Sequence, residues 1–134
     1  MAVKKIHLKI ITPYGRYMEE DVESITTRTT DGYIGIQKNR VPLIASLVIS
    51  KLFVKKDNKD EVYIVEGGMI YSTKDDITII TDNIDLEKNH DINKVIREKE
   101  ALERKMKQKL DNKEMHLAEL SLNRLIDKIN VLGK

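Results

Sequence analysis

Over its first ~85 residues the chain alternates apolar and polar positions with a period of two, as half-buried β-strands do. Ile6, Leu8 and Ile10 alternate with Lys5, His7 and Lys9, giving one buried and one wet face. Thr12-Pro13-Tyr14-Gly15 reads as a turn, and residues 21–30 (DVESITTRTT) are rich in the β-branched types that strands favour. Residues 43–54 are mostly apolar on both faces, which predicts a strand inside a sandwich. Residues 55–60 (KKDNKD) form a charged hairpin tip, and 61–65 are the return strand. Gly67-Gly68 breaks that strand, 69–72 resume it, 73–76 turn, and 77–81 are the last predicted strand. Turn signals at intervals of ~8–12 residues predict a sandwich or barrel.

The period then changes. From Asp91 onward neither Gly nor Pro occurs until Gly133. Asp91 is placed to cap a helix on which Ile92, Val95, Ile96, Leu102, Met106 and Leu110 keep one face apolar. Asp111-Asn112 interrupts that pattern, and Asp111 with Glu114 resembles a capping box. A second helix follows, with Met115, Ala118, Leu122, Leu125, Ile129 and Leu132 as a narrow seam. The short connection predicts an antiparallel pair. The expected fold class is therefore α+β in sequence order: an N-terminal all-β sandwich over 1–86, then a C-terminal antiparallel two-helix hairpin over 87–134. Residues 82–89 form the joint. A lone helix of ~20 residues is marginal in water, so its apolar stripe must always be covered. That makes the hairpin a natural two-state element, folded on itself or spread along a partner.

Between the predicted strands, residues 31–44 (DGYIGIQKNRVPLI) carry two glycines three apart, a polar turn and Pro42. Such glycines mark a positive φ, a bulge or a close backbone approach, and Pro42 belongs at a strand edge or start. The segment reads as a short strand, a tight turn and entry into a longer strand. It is no phosphate cradle, because no helix with a Lys-Ser or Lys-Thr follows at the required spacing.

Composition narrows the function classes. Of 134 residues, 34% are charged and 40% hydrophobic, so a modest core carries much charged surface. The net charge of +2 gives no general polyanion-binding footprint, and zero Trp with one Phe offers no base-stacking platform; nucleic acid is not an expected partner. Zero cysteines removes disulfides, zinc-thiolate sites and thiol catalysis. No apolar run approaches the ~18 residues of a membrane-spanning helix, and the N-terminal segment alternates like a strand where a signal peptide would be unbroken, so no direct membrane insertion is expected. His7, His90 and His116 fall on a strand, a linker and a helix without paired spacing, and read as surface residues. No nucleophile-His-acid order or P-loop occurs, so no catalytic, cofactor-binding or metal residue is assigned. The Lys and Arg residues after position 97 are interleaved with acids, the usual solvated arrangement.

Gly32-x-x-Gly35-Ile36-x-x-Asn39-Arg40-x-Pro42-Leu43-Ile44 resembles the Gly-x-x-Gly-Ile-x-x-Asn-His-x-Pro-Leu signature of the epsilon subunit of bacterial F-type (rotary) ATP synthases. Ile10-Ile11-Thr12-Pro13-Tyr14-Gly15 is similar to that family's early Val-Thr-Pro-x-Gly. Val65-Glu66-Gly67-Gly68-Met69 and Ile77-Thr78-Ile79-Ile80 are similar to its Gly-Gly-Phe and Val-Thr-Ile-Leu strands. Arg40 stands where the family usually has His, and Ser50 where it often has Gly. With the two helices, the resemblance covers essentially the whole chain.

The resemblance implies a non-catalytic central-stalk subunit, peripheral on the cytoplasmic face of the bacterial cell membrane. Its implied partners are the gamma subunit and c ring, touched by the sandwich, and the alpha/beta catalytic hexamer, regulated by the hairpin. The corresponding contact residues are Asp31, Gly32, Tyr33, Arg40, Val41 and Pro42 for gamma and the c ring. For an acidic loop of the hexamer they are Arg97, Arg104, Lys105, Arg124 and Lys128. Many members bind ATP through Ile/Leu-Asp-x-x-Arg-Ala at the start of the first helix. Here Asn93 replaces the Asp, Ile96 the Arg and Arg97 the Ala, leaving only Ile92, so no ATP-site residue is carried over and no cofactor is expected. The competing reading is a free-standing β-sandwich adaptor with a partner-binding helical tail.

Overall fold

The computed structural model describes residues 4–133. Eight strands come first: β1 (Ile6–Thr12), β2 (Gly15–Val22), β3 (Ser24–Thr29), β4 (Gly32–Ile36), β5 (Leu43–Lys56), β6 (Lys59–Ser72), β7 (Asp76–Ile80) and β8 (Ile84–Leu86). Two helices follow, α1 (Ile92–Met106) and α2 (Asn112–Leu132). The expected sandwich followed by two helices is present. The first three residues of the N-terminal segment and Lys134 lie outside the described residues.

The fourteen-residue strands β5 and β6 are the spine of the sandwich. Their turn is only Asp57-Asn58, both at positive φ (51° and 63°), the two-residue geometry whose twist matches a hairpin. The charged tip read over 55–60 is thus mostly strand, because paired backbone outweighs the charge of Lys55, Lys56, Lys59 and Asp60. Beyond Gly67 the neighbours change. Met69–Ser72 pair with β7, which pairs in parallel with β1, and β1 with β2. On the other side of Gly67, Tyr63–Val65 pair with β8, and β5 pairs with β3, which pairs with β4. One hairpin therefore belongs to both layers, and Gly67-Gly68 marks the passage between them.

Gly68 is required there twice over. Its φ is +118°, and a Cβ would overlap the Ile80 carbonyl oxygen and come within 2.8 Å of the Thr81 Cα. The alternation expected for β1 holds, with Ile6, Leu8 and Ile10 fully buried. They meet Ile25, Ile36, Leu52, Val54, Ile70, Ile77 and Ile79 in one core. Along β5 the burial is less symmetrical than the sequence implies: Leu47, Leu52 and Val54 are buried, while Ile44 is 64% exposed.

Three other boundaries differ from the sequence reading. The sequence puts Gly15 in a turn and strand character only from Asp21, whereas Gly15–Val22 form one strand, β2, because opposite His7 and Lys9 they complete a hairpin with β1. The stretch 21–30 divides at Glu23, whose N–H goes to Lys55 O as the chain passes to β3. The joint 82–89 contains β8, whose Ile84 is buried beside Val65. This pairing depends on a partner twenty residues away, so no local signal announces it.

The chain divides into two compact units, one ending at Glu87 and one starting at Lys88. In the second, Asp91 accepts a hydrogen bond from Asn93 N–H at 2.9 Å and Asp111 one from Glu114 N–H at 2.7 Å, each capping its helix. Leu110 lies outside α1, which ends at Met106. A Cβ on Gly133 would sit 3.6 Å from Ile92 Cδ1, so the end of α2 returns to the start of α1 and the pair is antiparallel. The seam residues of α2 are half-buried, and no residue of α2 is fully buried.

Replacing Gly68 by Ala should cost roughly 2–4 kcal/mol, combining strained φ with overpacking. Gly15, at φ +114° with nothing within 4 Å of a Cβ, should lose only roughly 1–2 kcal/mol as Ala. Urea unfolding of the two variants checks the ranking; equal losses would mean that the Ile80 approach yields freely.

Candidate functional site

Strand pairing sets apolar side chains side by side on the outer face of the first layer. Ile44 lies opposite Tyr71, and Met69 opposite Ile80, which in turn pairs with Ile11. Since the intervening Leu43, Ala45, Ile70 and Ile79 face the core, alternation sends this second set outward. Ile44, Met69, Tyr71 and Ile80 are 64%, 51%, 50% and 55% exposed. Large contiguous apolar patches of this kind mark interaction sites. The patch is not among the expected sites, although a signal for it exists: residues 43–54 are largely apolar in both registers and Ile80 follows Ile79, which a one-sided sheet does not need.

The loop residues singled out from the sequence flank β4 at its two ends. Before it, Thr29 Oγ1 accepts the Asp31 N–H at 3.1 Å and donates to Gly32 O at 2.9 Å, closing a turn in which Gly32 takes φ +111°. Tyr33 is 66% exposed, with the Arg28 guanidinium 5.8 Å from its ring centre. After it, Arg40 donates to the Gly35 carbonyl. Asn39, at φ 71°, sends its N–H to Lys74 O at 2.9 Å. Lys38 lies 3.7 Å from Asp75. Val41 and Pro42 are exposed. Arg40 thus holds its own loop as well as facing solvent, a role that sequence alone did not assign.

On the helices, Arg97, Arg104, Lys105 and Arg124 are exposed and Lys128 is half-buried. Arg124 and Lys128 are four apart and share a face, and Arg104 and Lys105 sit in the last turn of α1, where cations complement the helix dipole. Asn93 contributes its backbone N–H to the Asp91 cap, and Ile96 is half-buried.

A family model, the β-sandwich domain of the ATP synthase delta/epsilon chain, matches residues 5–87. The chain belongs to this family. The ATP synthase epsilon chain of Mycoplasma mobile is 37% identical over 98% of this chain and 95% of its own length. That of Caldanaerobacter subterraneus is 33% identical over 98% and 96%, and that of Halalkalibacterium halodurans 30% over 96% and 98%. In fold it is similar to a chain of the Euglena gracilis mitochondrial ATP synthase (TM-score 0.75, 20% identity, 97% of this chain and 82% of that one). It is also similar to a chain of the Tetrahymena thermophila mitochondrial ATP synthase central stalk and c ring (TM-score 0.63, 16% identity, 99% and 97%). In this chain, the stretch that carries the resemblance is β4, the 38–40 turn and the start of β5.

One cluster escaped the sequence reading altogether. His7, expected at the surface and found there, has Nε2 2.7 Å from Glu19 and Nδ1 2.9 Å from Asp21 across the β1–β2 pair. Both ring nitrogens face carboxylates, so the protonated imidazole satisfies both, and the Glu19 bond, then the Asp21 bond, raise its pKa above 6.5. Such a group contributes stability below its unfolded pKa and loses it as pH rises through the higher folded value. Thermal unfolding should therefore show Tm falling as pH increases above ~6.5, and His7→Gln should flatten that slope. An unchanged slope in the variant would place the pH dependence elsewhere.

Proposed function

We propose that this chain is the non-catalytic central-stalk epsilon subunit of a bacterial F-type ATP synthase, coupling ion-driven rotation of the c ring to ATP synthesis and regulating hydrolysis through its helical hairpin. The observation that carries the reading is the apolar outer face of the sandwich in a chain whose relatives are ATP synthase epsilon chains. Full burial of an Ile, Met or Tyr side chain is worth about 1.5–3 kcal/mol, so four half-exposed ones favour a permanent neighbour. In this reading gamma covers that face. The turns holding Asp31, Gly32 and Tyr33, and Arg40, Val41 and Pro42, meet gamma and the polar loops of the c ring. Arg97, Arg104, Lys105, Arg124 and Lys128 meet acidic groups of the alpha/beta hexamer. The two structural neighbours come from assemblies that include a c ring, which agrees with these partners. The site is peripheral to the membrane at its cytoplasmic face; among the described residues no helix is long and apolar enough to cross a bilayer.

Placing a charge in the patch tests the docking. Tyr71→Glu with Ile80→Glu should leave the Tm of the isolated chain nearly unchanged, because both side chains are about half exposed. The same pair should weaken co-purification with gamma by at least ~100-fold, given the loss of burial and the cost of a buried charge. Co-purification at the parental level would remove this face from the interface, and purification with an unrelated partner would favour the free-standing adaptor.

The hairpin's role is tested in the assembled enzyme. Deleting residues 111–134 should raise ATP hydrolysis severalfold while assembly persists, and Arg124→Ala with Lys128→Ala should give part of that rise. Hydrolysis unchanged by the deletion would make the hairpin a fixed structural element.

A further inference from the structure

The basic residues of the helical unit are not evenly spread. Residues 104–113, from the last turn of α1 to the first turn of α2, carry five Lys or Arg and one Asp, while the rest of the unit, 88–103 and 114–134, carries seven of each sign. All of the hairpin's net positive charge within these spans is therefore at its tip. The interleaving expected after position 97 fails here. Arg104, Lys105, Lys107, Lys109 and Lys113 are all exposed, and none forms an ion pair among the described residues. The lone acid, Asp111, is committed as the cap of α2, and the bond from Glu114 N–H holds its pKa down.

Beside these cations lies apolar surface. Leu117 and Leu120 are each 54% exposed on α2. A groove of about 240 Å³ opens between the helices at this end, lined by Leu102, Leu110, Leu117 and Ala118 together with Lys105, Glu114 and Ser121. The five cations come from the end of one helix, from the connection and from the start of the next, so they are spread around the tip, and only Lys105 among them lines the groove. Unpaired cations on long side chains suit a broad, fluid anionic surface, and leucines among them suit its hydrocarbon border. The absence of any Phe, Tyr or Trp after Tyr71 offers no stacking surface for nucleic-acid bases.

We propose that the hairpin tip, residues 104–113 with Leu117, is a docking site for an anionic phospholipid surface. The site acts in the isolated chain and does not depend on the central-stalk reading. The full-length protein should co-sediment with vesicles of phosphatidylcholine and phosphatidylglycerol at low salt and release as salt rises. It should not bind vesicles of phosphatidylcholine alone. Lys105→Gln, Lys107→Gln and Lys109→Gln together should weaken binding by ~100-fold, at about fivefold per lysine. Lys55→Gln, Lys59→Gln and Lys74→Gln, which remove equal charge from the sandwich, should weaken it far less. Leu117→Ser should lower binding severalfold without changing the salt slope. Circular dichroism of each variant should match the parent, since every substituted position is exposed. The proposal is overturned by equal binding to neutral vesicles, by equal loss in the sandwich variant, or by no binding to the anionic vesicles. Capture by polyglutamate without capture by vesicles would assign the tip to an acidic polypeptide instead.

Discussion

The ladder between β5 and β6 holds this protein together, because it is the one pairing that both layers of the sandwich share. β7, β1 and β2 build outward from one half of the hairpin, and β8, β3 and β4 from the other. The passage between halves is possible only because Gly67 and Gly68 take positive φ and Gly68 lets the Ile80–Thr81 backbone approach closely. Further ties keep the edge strand β2 near this spine. Tyr17 stacks edge-on against Tyr63 with ring centres 6.2 Å apart, and Lys56 Nζ lies 2.6 Å from Glu20 and 3.1 Å from Glu61. The Tyr63 hydroxyl donates to Glu61 at 2.6 Å, and burial with that carboxylate drives its pKa far upward, so it remains a donor.

A sheet this compact leaves the opposite face of its strands to be accounted for. In the first layer that face is apolar: Ile44, Met69, Tyr71 and Ile80 stand in neighbouring pairs across β5, β6 and β7. The β1–β2 pair beside it is different, with Lys9, Glu19, Asp21 and the bridging His7. Charge guards the edge strand against unwanted pairing, and apolar residues occupy the middle of the sheet.

The helical unit is held differently. Its caps are well made, but its interior is thin: Val95 is its one buried hydrophobic residue among those described, and the α2 seam is half-exposed. Helices of this length derive most of their stability from covering an apolar stripe, so the hairpin is the part of the chain whose arrangement a partner can most readily change.

Much of this was legible without coordinates. The period of two in 6–10, the switch of period at Asp91, and the caps at Asp91 and Asp111 are local patterns, and each corresponds to an element now seen. Of the two glycines read as marking a positive φ, a bulge or a close approach, Gly32 takes φ +111°, a conformation that local sterics decide, and Gly35 does not. Gly67-Gly68, read as breaking a strand, lie inside the unbroken β6 because its pairing with β5 continues past them. Pairings between distant segments were not legible, since a strand such as Ile84–Leu86 is stabilised by residues about twenty positions away along the chain, and register within the β1–β2 hairpin was not legible either. The His7 clasp arose in the same way, from register between β1 and β2. So did the outer patch, which exists because four residues from three strands are aligned in space. Sequence determined which residues prefer which local geometry; tertiary structure decided which of them meet, because hydrogen-bond register and packing are set by the whole sheet at once.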